Sequence, residues 1–305
     1  MTTLDMFRIA ARFSPDQDYH LHLLSSAGGP VRLAEAAMLE TQSLPATFDD
    51  FQALILPGFF AESPAHIDQQ LQTTWAPVVS RLRKLTRDTI VAASCYGTFA
   101  LAESGLLDGL PATTTWWFEK EFRRRYPRVP LDADKTLVDS GRAITAGAMT
   151  AHTDLSLHVL RRLGGAALAR SVGGIMLVDG ARTSQRPFMA LRKDFSDPLL
   201  QKAIAWILGR LEQPLSMDAL AEAMHVSYRT LNRRFVESAE LSPLAYLQAL
   251  RVERAKELLE GSRRGFEDIT SAVGYLDAAS FRRLFKRATG LSPAQYRRQF
   301  KGSAP

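Results

Sequence analysis

The sequence predicts an α/β domain with a mainly parallel sheet, followed by an all-helical domain carrying two helix-turn-helix motifs. Three observations carry this. Short apolar runs alternate with helical stretches through the first two-thirds of the chain, the pattern of βαβ units. After Pro198 only helical signals remain, punctuated by Pro214, Pro243, Gly261, Gly265, Gly274, Gly290 and Pro293. Within that last third, a helix, a tight turn and a second helix occur twice, at residues 215–237 and 266–288.

Taken in order, residues 19–24, 53–56, 89–93 and 136–139 read as strands. Residues 77–85, 99–107, 117–126 and 152–163 read as helices. Near residues 183–196 the pattern breaks into a polar stretch with Gln185, Arg186, Pro187 and Asp194, which marks a linker. The expected domains are therefore 1–185 and 199–302, joined by a linker at 186–198. In the first motif Leu231 and Phe235 repeat at a spacing of four, and in the second Phe281 and Phe285 do the same. Each pair buries one stripe against its partner helix. Ser227 and Asp277 stand where an N-cap is expected, and Gly274 supplies the permissive backbone of a tight turn. A helix at 243–260 joins the motifs, with Leu247, Leu250, Leu258 and Leu259 on its buried side. About 18 residues at ~1.5 Å each give ~27 Å, and two major-groove contacts on one DNA face lie ~34 Å apart. With the radii of the flanking motifs added, both second helices reach successive grooves.

With 305 residues there is room for two domains of the usual ~100–200 residues. Apolar residues at 46% and charged residues at 23% place the chain among ordinary globular proteins. No run of about 18 uncharged apolar residues is present, so no membrane span is expected. Residues 1–12 include Asp5 and lack the pattern of a secretory signal. The single cysteine, Cys95, excludes an internal disulfide framework and points to a reducing cytoplasm. His20 and His22 alternate in a strand-like run but have no Cys or acidic neighbours at ligand spacing, so they read as surface residues and no metal is expected. The net charge of +6 is lopsided. Residues 1–196 hold 21 Lys/Arg against 20 Asp/Glu, and residues 197–305 hold 17 against 12. Arg282, Arg283, Lys286, Arg287, Arg297, Arg298 and Lys301 follow Asp277 with no further acid, which is what a phosphate-backbone partner requires.

Ile269, Gly274-Tyr275, Ser280-Phe281-Arg282-Arg283-Leu284-Phe285-Lys286-Arg287, Gly290-Leu291-Ser292-Pro293 and Tyr296-Arg297 resemble the signature of the AraC/XylS regulators. So do Leu220-Ala221, Val226-Ser227 and Arg229-Thr230-Leu231-Asn232-Arg233-Arg234-Phe235. The resemblance covers about residues 199–302. It implies a sequence-specific DNA-binding regulator of transcription. By position, the base-reading residues it implies are Arg229, Asn232 and Arg233 in the first motif, and Ala278, Ala279, Arg282 and Arg283 in the second. The chemistry agrees: Arg bonds bidentately to guanine, Asn to adenine, and an alanine methyl can meet thymine. Lys286 stands beside them as a DNA contact, and Lys286, Arg287, Arg251 and Arg297 are expected to meet phosphate or solvent. Tyr228 stands where many members carry proline.

Ala53-Leu54-Ile55-Leu56-Pro57-Gly58, Ala93-Ser94-Cys95-Tyr96-Gly97, residues 101–109, Ala112-Thr113-Thr114-Thr115-Trp116, Thr145-Ala146-Gly147 and residues 154–158 resemble the PfpI-type, class I glutamine amidotransferase-like domain over about residues 4–185. This implies a flavodoxin-like α/β sandwich serving as a sensor or dimerisation domain. The family's usual first strand is missing, so either the true start lies upstream of Met1 or the sheet closes in some other way. Cys95 sits at a strand–turn–helix elbow, a place for a nucleophile beside a helix N-terminus. Catalysis also needs a base. Where the enzymes have histidine after the cysteine this chain has Tyr96, and where many of the regulators have histidine before tryptophan it has Thr115. His152 and His158 have no local tie to Cys95. The expected reading is a non-enzyme with no catalytic residues and no cofactor. The elbow residues Cys95, Tyr96, Gly97, Thr115 and Trp116 would line a pocket that survives as an effector or redox site, or only as a structural relic. The alternative is a cysteine-dependent amidotransferase-like hydrolase with an attached DNA-binding domain. The partners this implies are double-stranded promoter DNA, RNA polymerase, a small-molecule effector and a second copy of the chain, with no membrane.

Overall fold

The computed structural model describes residues 2–14, 19–33, 37–59, 61–86, 88–178, 182–189, 191 and 197–300. The chain divides into two compact units, Met1–Gln185 and Arg186–Pro305.

In the first unit a four-stranded sheet is built from β4 (Ala53–Leu56), β5 (Ile90–Ser94), β6 (Leu137–Ser140) and β7 (Ala143–Ala146) in the order β4-β5-β7-β6. β4, β5 and β7 run parallel, and β6 returns antiparallel as an edge. A separate three-stranded sheet holds β1 (Leu24–Ser25), β2 (Gly29–Arg32) and β3 (Met38–Ser43) in the order β1-β3-β2. The expected α/β sandwich is therefore present, with its sheet in two pieces. Among the described residues β4 pairs only with β5. The hairpin β2–β3, the strand β7 and a helix, α2 (Pro64–Gln72), have no counterpart in the elements expected from sequence. The strand expected at 19–24 shrinks to Leu24–Ser25.

Strand period two distributes the core onto both faces of the sheet. Leu54, Leu56, Val91, Ala93 and Cys95 face one cluster, with Ile67 of α2, Val79 and Leu82 of α3 (Ala76–Leu82), and Phe99 and Leu101 of α4 (Gly97–Glu103). Phe122 of α5 (Glu119–Arg125) joins the same cluster. Ile90, Ala92, Ile144 and Ala146 face the other, against Met6 and Ala10 of α1 (Thr2–Phe13) and Leu155, Val159 and Leu160 of α6 (Ala151–Ile175). Gly165, at φ +85°, breaks α6 into two helical segments.

The polar stretch after α6 is not all linker. Gln185 is 4% exposed. Its amide nitrogen shares two N–H groups among the carbonyls of Thr114 (2.9 Å), Ala133 (2.8 Å) and Lys135 (3.0 Å), while its oxygen accepts from Ala148 N (2.8 Å). Gly147 makes room: a Cβ there would lie 2.2 Å from the Gln185 amide carbon. Residues 183–185 are thus part of the first unit, locked by a buried amide whose bonds are invisible to a polarity count. Arg186–Phe188 then forms a single 3₁₀ turn, and Met189 accepts a bond from Lys256 (3.1 Å) in the second unit. Residues 192–196 of the expected linker lie outside the described residues.

The second unit is all helical: α7 (Pro198–Leu208), α8 (Met217–Ala223), α9 (Tyr228–Ala239), α10 (Pro243–Gly261), α11 (Phe266–Ala272), α12 (Ala278–Thr289) and α13 (Pro293–Phe300). It has two cores. Leu220, Leu231 and Phe235 pack with Ile204, Ile207, Tyr246, Leu247 and Leu250. Ile269, Phe281 and Phe285 pack with Val252, Ala255, Leu259 and Tyr296. The N-terminal half of α10 serves the first core and its C-terminal half the second.

Candidate nucleic-acid interface

In the first motif α8 is capped by Ser216, whose hydroxyl accepts from Ala219 N (3.1 Å). The turn passes through His225 at φ +55°, and Ser227 then caps α9 by accepting from Thr230 N (3.1 Å). Leu231 and Phe235 are fully buried, so the 3.6-residue period turns the opposite face outward. Tyr228, Arg229 and Arg233 are exposed there and Asn232 is half-buried. Arg233 approaches Glu237 at 3.8 Å, a loose surface pair. Arg234 is spoken for: its Nε donates to Asp197 (2.8 Å), the N-cap of α7. The Arg234 bond in turn holds the Asp197 carboxyl below the usual carboxylate range.

The second motif repeats the plan. Gly274 adopts φ +76° in the turn. Asp277 caps α12, accepting from Ala279 N (3.1 Å) and Ser280 N (2.9 Å). Phe281 and Phe285 are fully buried. Ala279, Arg282, Arg283, Lys286 and Arg287 are exposed and Ala278 is half-buried. The Arg282 guanidinium lies 5.4 Å from the Phe266 ring centroid, and Arg283 donates to Ser280 Oγ (2.8 Å). Each guanidinium thus has a contact within its own motif, Arg282 with the Phe266 ring and Arg283 with Ser280. All eight residues expected to touch DNA thus lie on α9 or α12, three on the first and five on the second.

Of the remaining basic residues, Arg251 does not meet phosphate or solvent as expected, and Arg297 does so only in part. Arg251 is 8% exposed and faces the interior of the unit. Arg297 is half-buried and donates to the carbonyls of Leu259 (3.4 Å) and Arg264 (2.5 Å), tying α13 to the end of α10. Arg251 is not free for phosphate, and Arg297 gives two of its three guanidinium nitrogens to these carbonyls. Lys301 lies outside the described residues. One exposed apolar residue beside α12 is not among those expected from the sequence. Leu276, between the turn and the cap of α12, is 93% exposed. A lone apolar residue just before an N-cap was its only signal.

At the elbow of the first unit Cys95 adopts φ +53°, a left-handed conformation costly for a residue with a side chain. Its N–H donates to Ala146 O (3.1 Å) and Gly147 O (2.9 Å). The elbow is packed tightly. A Cβ on Gly97 would lie 2.6 Å from Pro57 O, and one on Gly58 would lie 2.7 Å from Cys95 Cβ. Cys95, Tyr96 and Gly97 are buried together; Thr115 is buried and Trp116 half-buried at the start of the 3₁₀ turn Trp116–Phe118. Trp117 and Phe118, rather than Trp116, reach Tyr96. The Tyr96 hydroxyl accepts from Trp117 Nε1 (2.6 Å) and donates to Ala61 O (3.1 Å). Burial pushes the Cys95 thiol up from its ordinary 9.0 to about 11. His152 is held between Ser94 Oγ (2.8 Å) and Thr3 Oγ1 (2.8 Å), and His158 bonds Asp139 (2.7 Å). Both histidines tie helix to sheet or helix to helix instead of serving the thiol.

Two capped helix-turn-helix motifs, each on its own core and each turning arginines outward, define a tandem helix-turn-helix domain. The profile of a helix-turn-helix domain matches residues 220–299. The HTH-type transcriptional regulator ArgR of Pseudomonas aeruginosa is 30% identical over 227 residues, covering 73% of this chain and 69% of that one. The chain belongs to the AraC/XylS family of helix-turn-helix transcriptional regulators. The regulator GbdR of Pseudomonas aeruginosa is 29% identical over 210 residues, and the match spans 68% of this chain but only 57% of GbdR. Both matches are longer than the second unit and so run into the first. A putative transcriptional regulator from Vibrio parahaemolyticus, 19% identical, superposes with a TM-score of 0.50 over 58% of this chain and 90% of its own, a likeness of fold. Among the described residues no helix is long and apolar enough to cross a membrane.

Proposed function

We propose that this chain is a sequence-specific DNA-binding transcription factor. α9 reads one major-groove segment with Arg229, Asn232 and Arg233. α12 reads the next with Ala278, Ala279, Arg282 and Arg283, and Lys286 meets phosphate. The observation that carries this is the acid-free, arginine-lined outer face of α12, held rigid by an Asp277 cap and two buried phenylalanines. Such a face supplies both the sequence-independent attraction and the forked donors that read guanine. The test is anisotropy titration of the full chain against DNA recovered from its own genome. The specific sites should exceed scrambled DNA by on the order of 10³-fold or more.

The first unit acts as a non-catalytic sensor or dimerisation domain, the factor responds to a small molecule, and the bound factor contacts RNA polymerase. Burial of Cys95, its raised pKa and the engagement of both candidate histidines elsewhere support the non-catalytic reading. The left-handed backbone at Cys95 is the one observation that favours the hydrolase alternative, because strain of this kind collects at functional sites. The thiol discriminates. With the folded pKa raised, its proton is held more tightly in the native state. Its stabilisation is full below the ordinary 9.0 and is lost as pH climbs through about 11. At pH 8 iodoacetamide should therefore label the native chain at least about tenfold more slowly than the chain in urea, since the thiolate is the reactive form. Labelling of the native chain faster than of the unfolded chain would restore the enzyme reading.

A further inference from the structure

The two helix-turn-helix motifs share no core, so something must fix one relative to the other. α10 enters both cores, but each of the two helices that would read DNA packs in only one, α9 in the first and α12 in the second. Three segments close this joint around one side chain. Arg251, in the middle of α10, donates through one terminal nitrogen to the carbonyl of Gln213 (2.7 Å), which lies between α7 and α8. Its guanidinium sits 5.2 Å from the centroid of the Tyr275 ring, in the turn between α11 and α12. That ring in turn lies 4.7 Å from Phe281 of α12. The Gly274 backbone completes the contact: a Cβ there would lie 2.6 Å from Leu211 O and 2.7 Å from the Arg251 nitrogen.

An arginine this buried is unusual unless paired, and no carboxylate is bonded to Arg251 among the described residues. Its partners are a carbonyl of the first motif and an aromatic face of the second. A planar guanidinium serves both at once, one edge as donor and one face as cation–π partner. A lysine ammonium can make either contact, but it is a compact point charge on a flexible stem and cannot hold an edge to the carbonyl and a face to the ring together.

We propose that Arg251 sets the relative placement of the two recognition helices, and thereby the spacing between the two DNA segments that the chain accepts. This rests on the DNA reading proposed above. Arg251 is a positioning residue: being buried, it acts through Gln213 and Tyr275 and not through DNA. One added base pair moves the second segment about 3.4 Å along and about 34° around the duplex. A stiff joint turns that displacement into lost base contacts, whereas a loosened joint absorbs it and weakens binding at the best spacing through the cost of ordering.

The test uses the full chain and its best genomic site, with one base pair added or removed between the two contacted segments. Wild type should lose on the order of tenfold in affinity for either change. Arg251→Ala and Tyr275→Leu should bind the best site more weakly yet discriminate among spacings by about threefold or less. Arg251→Lys, which keeps the charge, should fall with them. Tyr275→Leu leaves the Arg251–Gln213 bond intact, so it carries the test alone if Arg251→Ala fails to fold by circular dichroism. Variants that weaken every spacing alike, with the tenfold preference intact, would overturn the proposal and leave Arg251 a stabilising residue. Wild type that prefers no site would overturn the DNA reading itself, and the joint with it.

Discussion

Gln185→Ala should destabilise the first unit by about 3 kcal/mol, with little effect on the second. The side-chain amide has four backbone partners, the carbonyls of Thr114, Ala133 and Lys135 and the N–H of Ala148. The two N–H groups are shared among the three carbonyls, and truncation removes them together with the acceptor for Ala148 N; it strands buried groups that water reaches poorly, at about 1–3 kcal/mol for each group left unsatisfied, although Lys135 O keeps the Thr113 hydroxyl. Partial entry of water into the space keeps the total below the simple sum. Trp75, Trp116 and Trp117 lie in the first unit and only Trp206 in the second, so tryptophan fluorescence reports mainly on the first. With a urea slope of about 2–3 kcal/mol per molar, the fluorescence midpoint should fall by about 1–1.5 M. Gln185→Glu, nearly identical in shape, should cost as much at pH 7. It replaces the donor with an acceptor aimed at three carbonyls, and protonation at low pH should restore part of the loss. A midpoint within about 0.2 M of wild type for both would show that these bonds do not hold the segment.

The second large effect is on DNA. Arg233→Ala and Arg283→Ala lie on different helices above different cores, so their costs should add. Each bidentate arginine–guanine contact contributes about 1–3 kcal/mol of discrimination. The double variant should therefore lose on the order of 10²–10³-fold for its own sites and approach its affinity for scrambled DNA. Lys286→Ala is the contrast. It should weaken all sequences alike and lower the slope of log affinity against log salt by about one. Arginine variants that lose affinity for scrambled and specific DNA equally would reduce the face to an electrostatic one.

Much of the second unit was legible because its signals are local. The four-residue repeats Leu231/Phe235 and Phe281/Phe285, the caps at Ser227 and Asp277 and the glycine turn each specify a helix or its end without reference to distant residues. The buried Arg251 was not read from sequence, yet a signal exists: Leu247, Arg251 and Ala255 recur every four residues, and the two flanking members are fully apolar and buried. A lone arginine in a helix is ordinarily solvated, so this spacing alone does not mark it as interior. The first unit was less legible where long-range pairing decides. β2 and β3 contain Gly29, Pro30, Glu40 and Gln42 and alternate between exposed and half-buried positions, so they carry little apolar pattern. Gln185 reads as surface by composition and becomes interior only through partners 37 to 71 residues away. At the elbow, Cys95 and its neighbours were placed correctly on a strand–turn–helix. Their packing by Pro57, Gly58 and the aromatic side chains depends on contacts that local sequence does not encode.

The most direct test of the central claim is selection of genomic DNA fragments by the purified full chain at two salt concentrations, with the Arg233→Ala, Arg283→Ala double variant in parallel. Enrichment of a few promoter fragments sharing a two-part motif about two helical turns long, retained at the higher salt and lost in the double variant, is the predicted result. Uniform weak retention of all fragments that fades with salt in wild type and variant alike would contradict it.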